Sequence, residues 1–311
     1  MTTTLVTGAN RGLGLETARR LVQAGHEVFL GARDARRGEA AARRAGGRPL
    51  LLDVTSDDSV RAAADRVRVA AGHLDVLVNN AGVIGSIESA GEITAADMQA
   101  CFDTNVFGVV RVTRAFLPLL QRSPAPVVVN VSSGLGSLAV AADPDAYTEV
   151  VPVWVPALVY SASKAALNMV TAQYAHAYPA MRINAVDPGH TATDFNGHSG
   201  AQTVAEGAEI IVRMAMIDKE GPTGGYFAAT GRFPGSPMQR KESRDEQAPG
   251  RDRVRCRVRA FLSRLHPVQP GRAALPREWR RGRDGLSPVP APARRRSRWR
   301  APLRDAQARP R

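Results

Sequence analysis

Short runs of consecutive apolar residues, mostly valine and leucine, punctuate the chain at positions 3–6, 27–31, 48–52, 76–79, 127–131 and 182–186, with a weaker run at 225–227. A strand that is apolar at successive positions has no polar face to show to water, so these runs suit parallel strands covered on both sides. Between them lie stretches whose apolar residues recur every three to four positions, the mark of a helix with one buried face. They fall at 11–24, 35–45, 56–71, 94–107 with its continuation to 120, 160–178 and 203–217. Gly25, Gly46 and Gly72 stand where the first three would end, and Ser56 where the third would begin. This alternation predicts one α/β domain built on a doubly wound parallel sheet with right-handed crossovers.

The pattern stops after Gly235. Residues 238–311 are rich in Arg, Pro, Ala and Gly and carry no periodic apolar face, so the domain is expected to span 1–237 and the remainder to be a disordered basic tail. Only 254–262 alternates like an edge strand, and it reads better as a solvated basic segment. The net charge of +13 takes a different meaning in this light. Residues 1–239 hold 20 Lys+Arg against 22 Asp+Glu, a net −2, whereas residues 240–311 hold 22 against 7, a net +15. The body is nearly neutral, so no specific nucleic-acid partner is expected. No apolar run reaches the length of a membrane span and the first strand follows Met1 almost at once, which predicts a soluble, cytoplasmic protein. Cys101 and Cys256 lie far apart without metal-ligand spacing, which argues against a disulfide framework and against a metal site.

Directly after the first run comes Thr7-Gly8-Ala9-Asn10-Arg11-Gly12-Leu13-Gly14, opening the first helix. Small residues there let the backbone approach a pyrophosphate, and the free N–H groups and dipole of the helix start favour the anion. Three further motifs follow at strand ends, where the ligand crevice of an open sheet should lie: Asp53-Val54, Asn79-Asn80-Ala81-Gly82 and Asn130-Val131-Ser132-Ser133. After the second strand, where a carboxylate would hold a ribose 2′-hydroxyl, the sequence is Gly31-Ala32-Arg33. Arg33 and Arg11 can instead offer charge-assisted bonds to a 2′-phosphate, which favours NADP(H) over NAD(H). Tyr160-Ser161-Ala162-Ser163-Lys164 sets a phenol and an ammonium one helical turn apart, an arrangement in which the cation brings the phenol toward the working range of a proton shuttle.

These motifs, in this order, resemble those of the short-chain dehydrogenase/reductase family over roughly residues 1–237, and the Thr-Gly-Ala-Asn-Arg-Gly opening and the Gly-Ala-Arg-Asp after the second strand resemble its carbonyl-reductase subgroup. The resemblance implies a Rossmann-type fold and an NADP(H)-dependent transfer of hydride between nicotinamide and a carbonyl or alcohol. It implies a catalytic set of Asn105, Ser133, Tyr160 and Lys164, with Asn105 holding a water near the lysine. Cofactor contacts are implied for Gly8, Asn10, Arg11, Gly12, Leu13, Gly14, Arg33, Asp53, Val54, Asn80, Ala81, Gly82, Tyr160, Lys164, Pro188, Gly189, Thr191 and Thr193.

Two departures qualify the picture: the basic tail, since the family's fold should be complete near residues 225–227, and the spacing of two motifs. Twenty-seven positions separate Ser133 from Tyr160, more than is usual in the family, with 150–156 as apolar filling. The family's helix-to-helix dimer uses this neighbourhood, so both a monomer and a homo-oligomer stay open. The stretch 194–217, with Gly197, Gly200 and Gly207, reads as a mobile substrate lid. Leu135, Leu138, Val153, Trp154 and Phe195 suggest an apolar pocket for a small-molecule ketone, aldehyde or alcohol. Rival readings are a silent NADP-binding sensor or scaffold, disfavoured by the intact Tyr160/Lys164 pair, and a nucleic-acid binder acting through the basic tail.

Overall fold

The computed structural model describes residues 1–233. The expected domain end at 237, the disorder of the tail and the alternation at 254–262 lie outside the described residues.

Seven strands form the predicted parallel sheet: β1 (Thr3–Val6), β2 (Glu27–Ala32), β3 (Arg48–Leu51), β4 (Val76–Asn79), β5 (Val127–Val131), β6 (Arg182–Val186) and β7 (Tyr226–Ala228). Their order is β3-β2-β1-β4-β5-β6-β7, and β8 (Gly231–Arg232) adds an antiparallel edge that the sequence pattern did not announce. The chain reverses direction across the sheet between β1 and β4, which opens the crevice where a dinucleotide binds in this class of fold.

Side chains alternate across each strand, so one strand feeds two cores. Val6, Leu30, Val76, Val78, Val127 and Val129 face α1 (Gly12–Gln23), α2 (Ala35–Ala45) and α8 (Val204–Ala215). Leu5, Phe29, Leu77, Val128 and Ile183 face α3 (Asp57–Ala71), α5 (Gly108–Leu120) and α7 (Leu158–Ala177). The expected punctuation is present. Ser56 caps α3 by accepting from Ser59 N, and Gly25, Gly46 and Gly72 take the left-handed backbone that ends the first three helices.

Three expectations change. The helix foreseen from 94 through 120 is broken into α4 (Ala95–Phe102), a π turn over Asp103–Phe107 and α5, and the widened turn carries Asn105 into the interior at 0% exposure. The stretch 150–156 is not filling. Val151 is buried, whereas Val153, Trp154 and Val155 are exposed beyond a short α6 (Leu138–Ala142). The stretch 194–217 is not one lid either, because α8 places Ile210, Ile211 and Met214 in the core against the sheet. The loop before it, from 190 to 203, meets the glycine loop through Asp194 on Arg11 and meets the Tyr160 ring through Phe195.

Candidate active site

The glycine loop is locked from the neighbouring strand end. Thr7 Oγ1 accepts from the backbone N–H groups of Asn80 and Ala81, both at 3.0 Å, while Asn80 Nδ2 donates to Thr7 O at 2.9 Å and Gly8 O at 3.2 Å. Gly8 has φ +63°, and a Cβ there would fall 2.9 Å from Ala81 Cα; one on Gly14 would fall 2.4 Å from Asn80 Nδ2. Small residues are therefore required by contact between the two motifs as well as by any ligand. Gly12, at φ +54°, sits more openly, with only the Thr193 side chain nearby.

Among the described residues no side chain caps α1 at Arg11, although Asp34, Ser56, Thr94 and Thr203 cap α2, α3, α4 and α8. The first turn of α1 thus retains N–H groups suited to an anion, which fits a pyrophosphate. Asn10 is partly exposed beside it, and Leu13 anchors the turn in the core. Arg33 is exposed and makes no hydrogen bond or ion pair among the described residues, leaving its guanidinium available to a phosphate. It does not pair with Asp34, whose carboxylate caps α2 through Arg37 N at 2.9 Å. Arg11, by contrast, is engaged: it bridges to Asp194 at 3.1 Å, and Asp194 also accepts from His198 at 2.8 Å, so a surface pair ties the glycine loop to the 190–203 crossing. Asp53 Oδ1 accepts from Thr55 N and Thr55 Oγ1, which holds its carboxyl below the usual range, and Val54 is buried against Gly108.

Ser133 and Ser132, neighbours in sequence, point apart. Ser132 Oγ donates to Asn168 Oδ1 at 2.6 Å, inside the protein, while the Ser133 hydroxyl lies close enough to the Tyr160 phenol to oppose the rise of its pKa. Lys164 is 4% exposed, and its Nζ donates to Val131 O at 2.8 Å and lies 5.5 Å from the Tyr160 ring centroid. The cation therefore sits under the ring. Burial pushes the Tyr160 phenol up, against the pull of Ser133, and pushes Lys164 down to about 8. The phenol thus moves opposite to the direction expected of a neighbouring Lys164, because loss of water disfavours the charged form of both groups.

Asn105 does not reach outward for a water with its side chain. Its Oδ1 accepts from Val83 N at 2.8 Å, and its Nδ2 donates to Val83 O at 2.8 Å and Ser163 Oγ at 3.0 Å. The amide anchors the backbone after Gly82, where a Cβ would lie 3.4 Å from Asn105 Oδ1 and 3.8 Å from Lys164 Nζ. Pro188, Gly189, Thr191 and Thr193 line the segment after β6, with the Thr191 hydroxyl donating back to Pro188 O at 3.3 Å. Gln202 was not foreseen. Its Oε1 is buried beside Gly189 with no hydrogen-bond partner among the described residues, an acceptor suited to a bound amide or hydroxyl, and it belongs to no motif that would have flagged it. A separate depression, between the C-terminal ends of α5 and α7, is lined by Gln121, Pro124 and Tyr178 at the opposite end of the sheet.

The family model described as short chain dehydrogenase matches residues 2–203. The (-)-isopiperitenone reductase of Mentha piperita is 35% identical over 298 residues, covering 72% of this chain and 95% of that protein. Salutaridine reductase of Papaver somniferum superposes with a TM-score of 0.64 at 29% identity, over 74% of this chain and 100% of that one. An NADPH-bound carbonyl reductase from chicken fatty liver gives a TM-score of 0.65 at 27% identity, over 75% and 98%. A doubly wound sheet with a glycine-rich first turn and a Ser/Tyr/Lys cluster at its strand ends defines a nucleotide-dependent oxidoreductase. The chain belongs to the short-chain dehydrogenase family, whose members act on carbonyl and alcohol groups.

Proposed function

We propose that this protein is an NADP(H)-dependent reductase of hydrophobic, ring-containing ketones, working in a domain of residues 1–237 with Ser133, Tyr160, Lys164 and Asn105 as its catalytic set. The observation that carries the reading is the Tyr160 ring over the ammonium of a buried lysine fixed on Val131 O, with Ser133 close enough to act on the phenol, beside the uncapped start of α1.

The residues present fit NADP(H). The first turn of α1, with Gly8, Asn10, Gly12, Leu13 and Gly14, would hold the pyrophosphate, and Arg33 the 2′-phosphate, with Arg11 joining it once released from Asp194. Asp53, Val54, Asn80, Ala81 and Gly82 would border the adenosine side, and Lys164, Pro188, Gly189, Thr191, Thr193 and Gln202 the nicotinamide side. When bound, the cofactor supplies the hydride that the protein itself cannot.

The remaining work belongs to the side chains. Ser133 Oγ and Tyr160 Oη are neighbours, so an oxygen between them would receive two hydrogen bonds and be fixed in orientation. Tyr160 keeps its proton at neutral pH and can release it to a carbonyl oxygen as charge builds there. Asn105 holds the backbone beside Gly82 against Lys164, and Lys164 retains N–H donors beyond the one spent on Val131 O. Phe195 lies 5.8 Å from Tyr160, ring to ring, and Leu138, Val153 and Trp154 expose apolar surface nearby in sequence to Val151, which packs on Gly134. Such surface suits a hydrophobic substrate, in keeping with relatives named for isopiperitenone, neomenthol and salutaridine. NADPH oxidation against a panel of cyclic ketones and enones tests the proposal. Turnover of at least one cyclic ketone, preferred over short aliphatic aldehydes, is expected, and a panel with no turnover would overturn it.

A further inference from the structure

The loop from 190 to 203 is closed at its base and folded on itself at its tip. Ala192 N donates to Gln202 O at 2.8 Å and Gln202 N to His190 O at 3.1 Å, so its two ends pair like short strands. At the tip, Thr193 and Asn196 brace a single 3-10 turn over Asp194–Asn196: Thr193 N donates to Asn196 Oδ1 at 3.2 Å, and Asn196 Nδ2 donates to Thr191 O at 3.0 Å. Gly197 and His198 then turn the chain in the left-handed region, both at φ +61°, and the His198 ring returns to Asp194 Oδ1 at 2.8 Å. One turn therefore presents two neighbouring side chains to different parts of the site. Asp194 Oδ2 accepts from Arg11 Nη1 of the glycine loop at 3.1 Å, and the Phe195 ring lies 5.8 Å from the Tyr160 ring. Thr193 adds a contact to the glycine loop, its methyl 3.6 Å from where a Cβ on Gly12 would stand.

We propose that Asp194 is a specificity-determining residue: its carboxylate competes with a cofactor phosphate for the Arg11 guanidinium, so that phosphate binding unlatches the 190–203 loop from the glycine loop. The inference rests on the reading of the site as one for NADP(H). Arg11 is the residue that leads into α1, whose first turn no side chain caps, so its guanidinium belongs to the same loop as the N–H groups suited to an anion. Here that guanidinium is matched by a carboxylate of the chain itself. Bonds from His198 and Arg11 hold the Asp194 carboxyl below the usual range, which makes it an anion at neutral pH. The Arg11 and Asp194 side chains are 61% and 50% exposed, and an ion pair so open to water holds weakly. A phosphate carries more charge and can take two N–H groups of the guanidinium fork at once, so it wins the exchange. Parting the pair lowers affinity only for ligands whose phosphate reaches Arg11. The same event removes the ion pair that joins the turn carrying Phe195 to the glycine loop, so the aromatic ring beside Tyr160 answers to the cofactor.

Calorimetric titration of the full-length protein with NADPH and with NADH tests the competition. Asp194→Asn keeps the size of the side chain and an oxygen for His198 but loses the charge, and NADPH should bind to it about two- to fivefold more tightly, the reach of an exposed ion pair. A gain for NADPH alone assigns Arg11 to the 2′-phosphate and an equal gain for NADH assigns it to the pyrophosphate, and either result supports the proposal. In an Arg11→Gln background the same Asp194→Asn change should bring no gain, because the two residues act as a pair. Hydrogen exchange reads the loop itself. With ADP-ribose 2′-phosphate, which has both phosphate groups and no nicotinamide, the amides of 194–199 should exchange faster than in the free protein, whereas in Asp194→Asn the ligand should make no difference. Unchanged or weaker NADPH binding by Asp194→Asn, a gain that persists in Arg11→Gln, or exchange at 194–199 that the ligand leaves unchanged in the unmodified protein overturns the inference. Failure of the unmodified protein to bind either nicotinamide cofactor would instead sink the functional reading, and the two failures are distinct.

Discussion

Tyr160→Phe keeps the ring that packs on Phe195 and removes only the phenol hydroxyl that faces Ser133. Turnover is expected to drop by roughly 10²–10⁴ while NADPH affinity holds, which steady-state kinetics and a fluorescence titration would separate. Lys164 offers a test that needs no substrate. Its pKa is about 8 in the folded chain against an ordinary 10.5, so the folded state carries the lysine with fewer protons than the unfolded state between those values. Stability therefore rises with pH across that window, and the cost of burying the ammonium is fully present below about pH 8. Lys164→Met should be the more stable protein at pH 7, by up to about 3 kcal/mol, and that advantage should shrink between pH 8 and 10.5 in denaturant titrations. Arg33, free among the described residues, gives the third residue-scale test. Arg33→Ala should narrow the preference for NADPH over NADH by about tenfold to a hundredfold, and equal affinity for the two cofactors in the unmodified protein would remove the basis for it.

At the scale of elements, the glycine loop, the start of α1 and the end of β4 act as one unit, because Thr7 and Asn80 exchange side-chain and backbone bonds across the sheet. Gly14→Ala would force a methyl against Asn80 Nδ2 and to within 2.6 Å of Gly8 O. The expected result is a loss of about 1–3 kcal/mol of stability, the scale of overpacking, together with weaker NADPH binding, measured by calorimetry with and without the cofactor. A variant that binds NADPH and melts like the parent would show that the loop can relax without its partner strand. The π turn is the element whose role sequence could not show. The apolar spacing of 94–120 reads as one helix, and only the packed structure reveals that Asn105 is turned inward onto Val83 and Ser163. A single inserted residue in a helix leaves no compositional trace, since the same side chains satisfy both registers.

For the whole molecule, the near-neutral body and the strongly basic remainder make a direct prediction. A chain ending at Pro237 should retain cooperative melting and NADPH binding while its isoelectric point turns acidic, and a large loss of cooperativity would mean that residues beyond 237 complete the fold. The sequence by itself determined the seven parallel strands, most of the helices between them, the Ser56 cap with the glycines that end the first three helices, and the chemical groups gathered at the strand ends. Those features are local, because burial on two faces and glycine at a left-handed turn are written into neighbouring positions. The tertiary structure decided how those groups bear on one another. It turned Ser132 inward and Ser133 to the phenol, spent the Asn105 amide on the backbone, drew Arg11 to Asp194, and made α8 part of the core. It also set the direction in which the pKa values of Tyr160 and Lys164 move, upward for the phenol where spacing alone predicts downward. Spacing fixes which groups can meet, whereas the exclusion of water around them depends on contacts between segments distant in the chain.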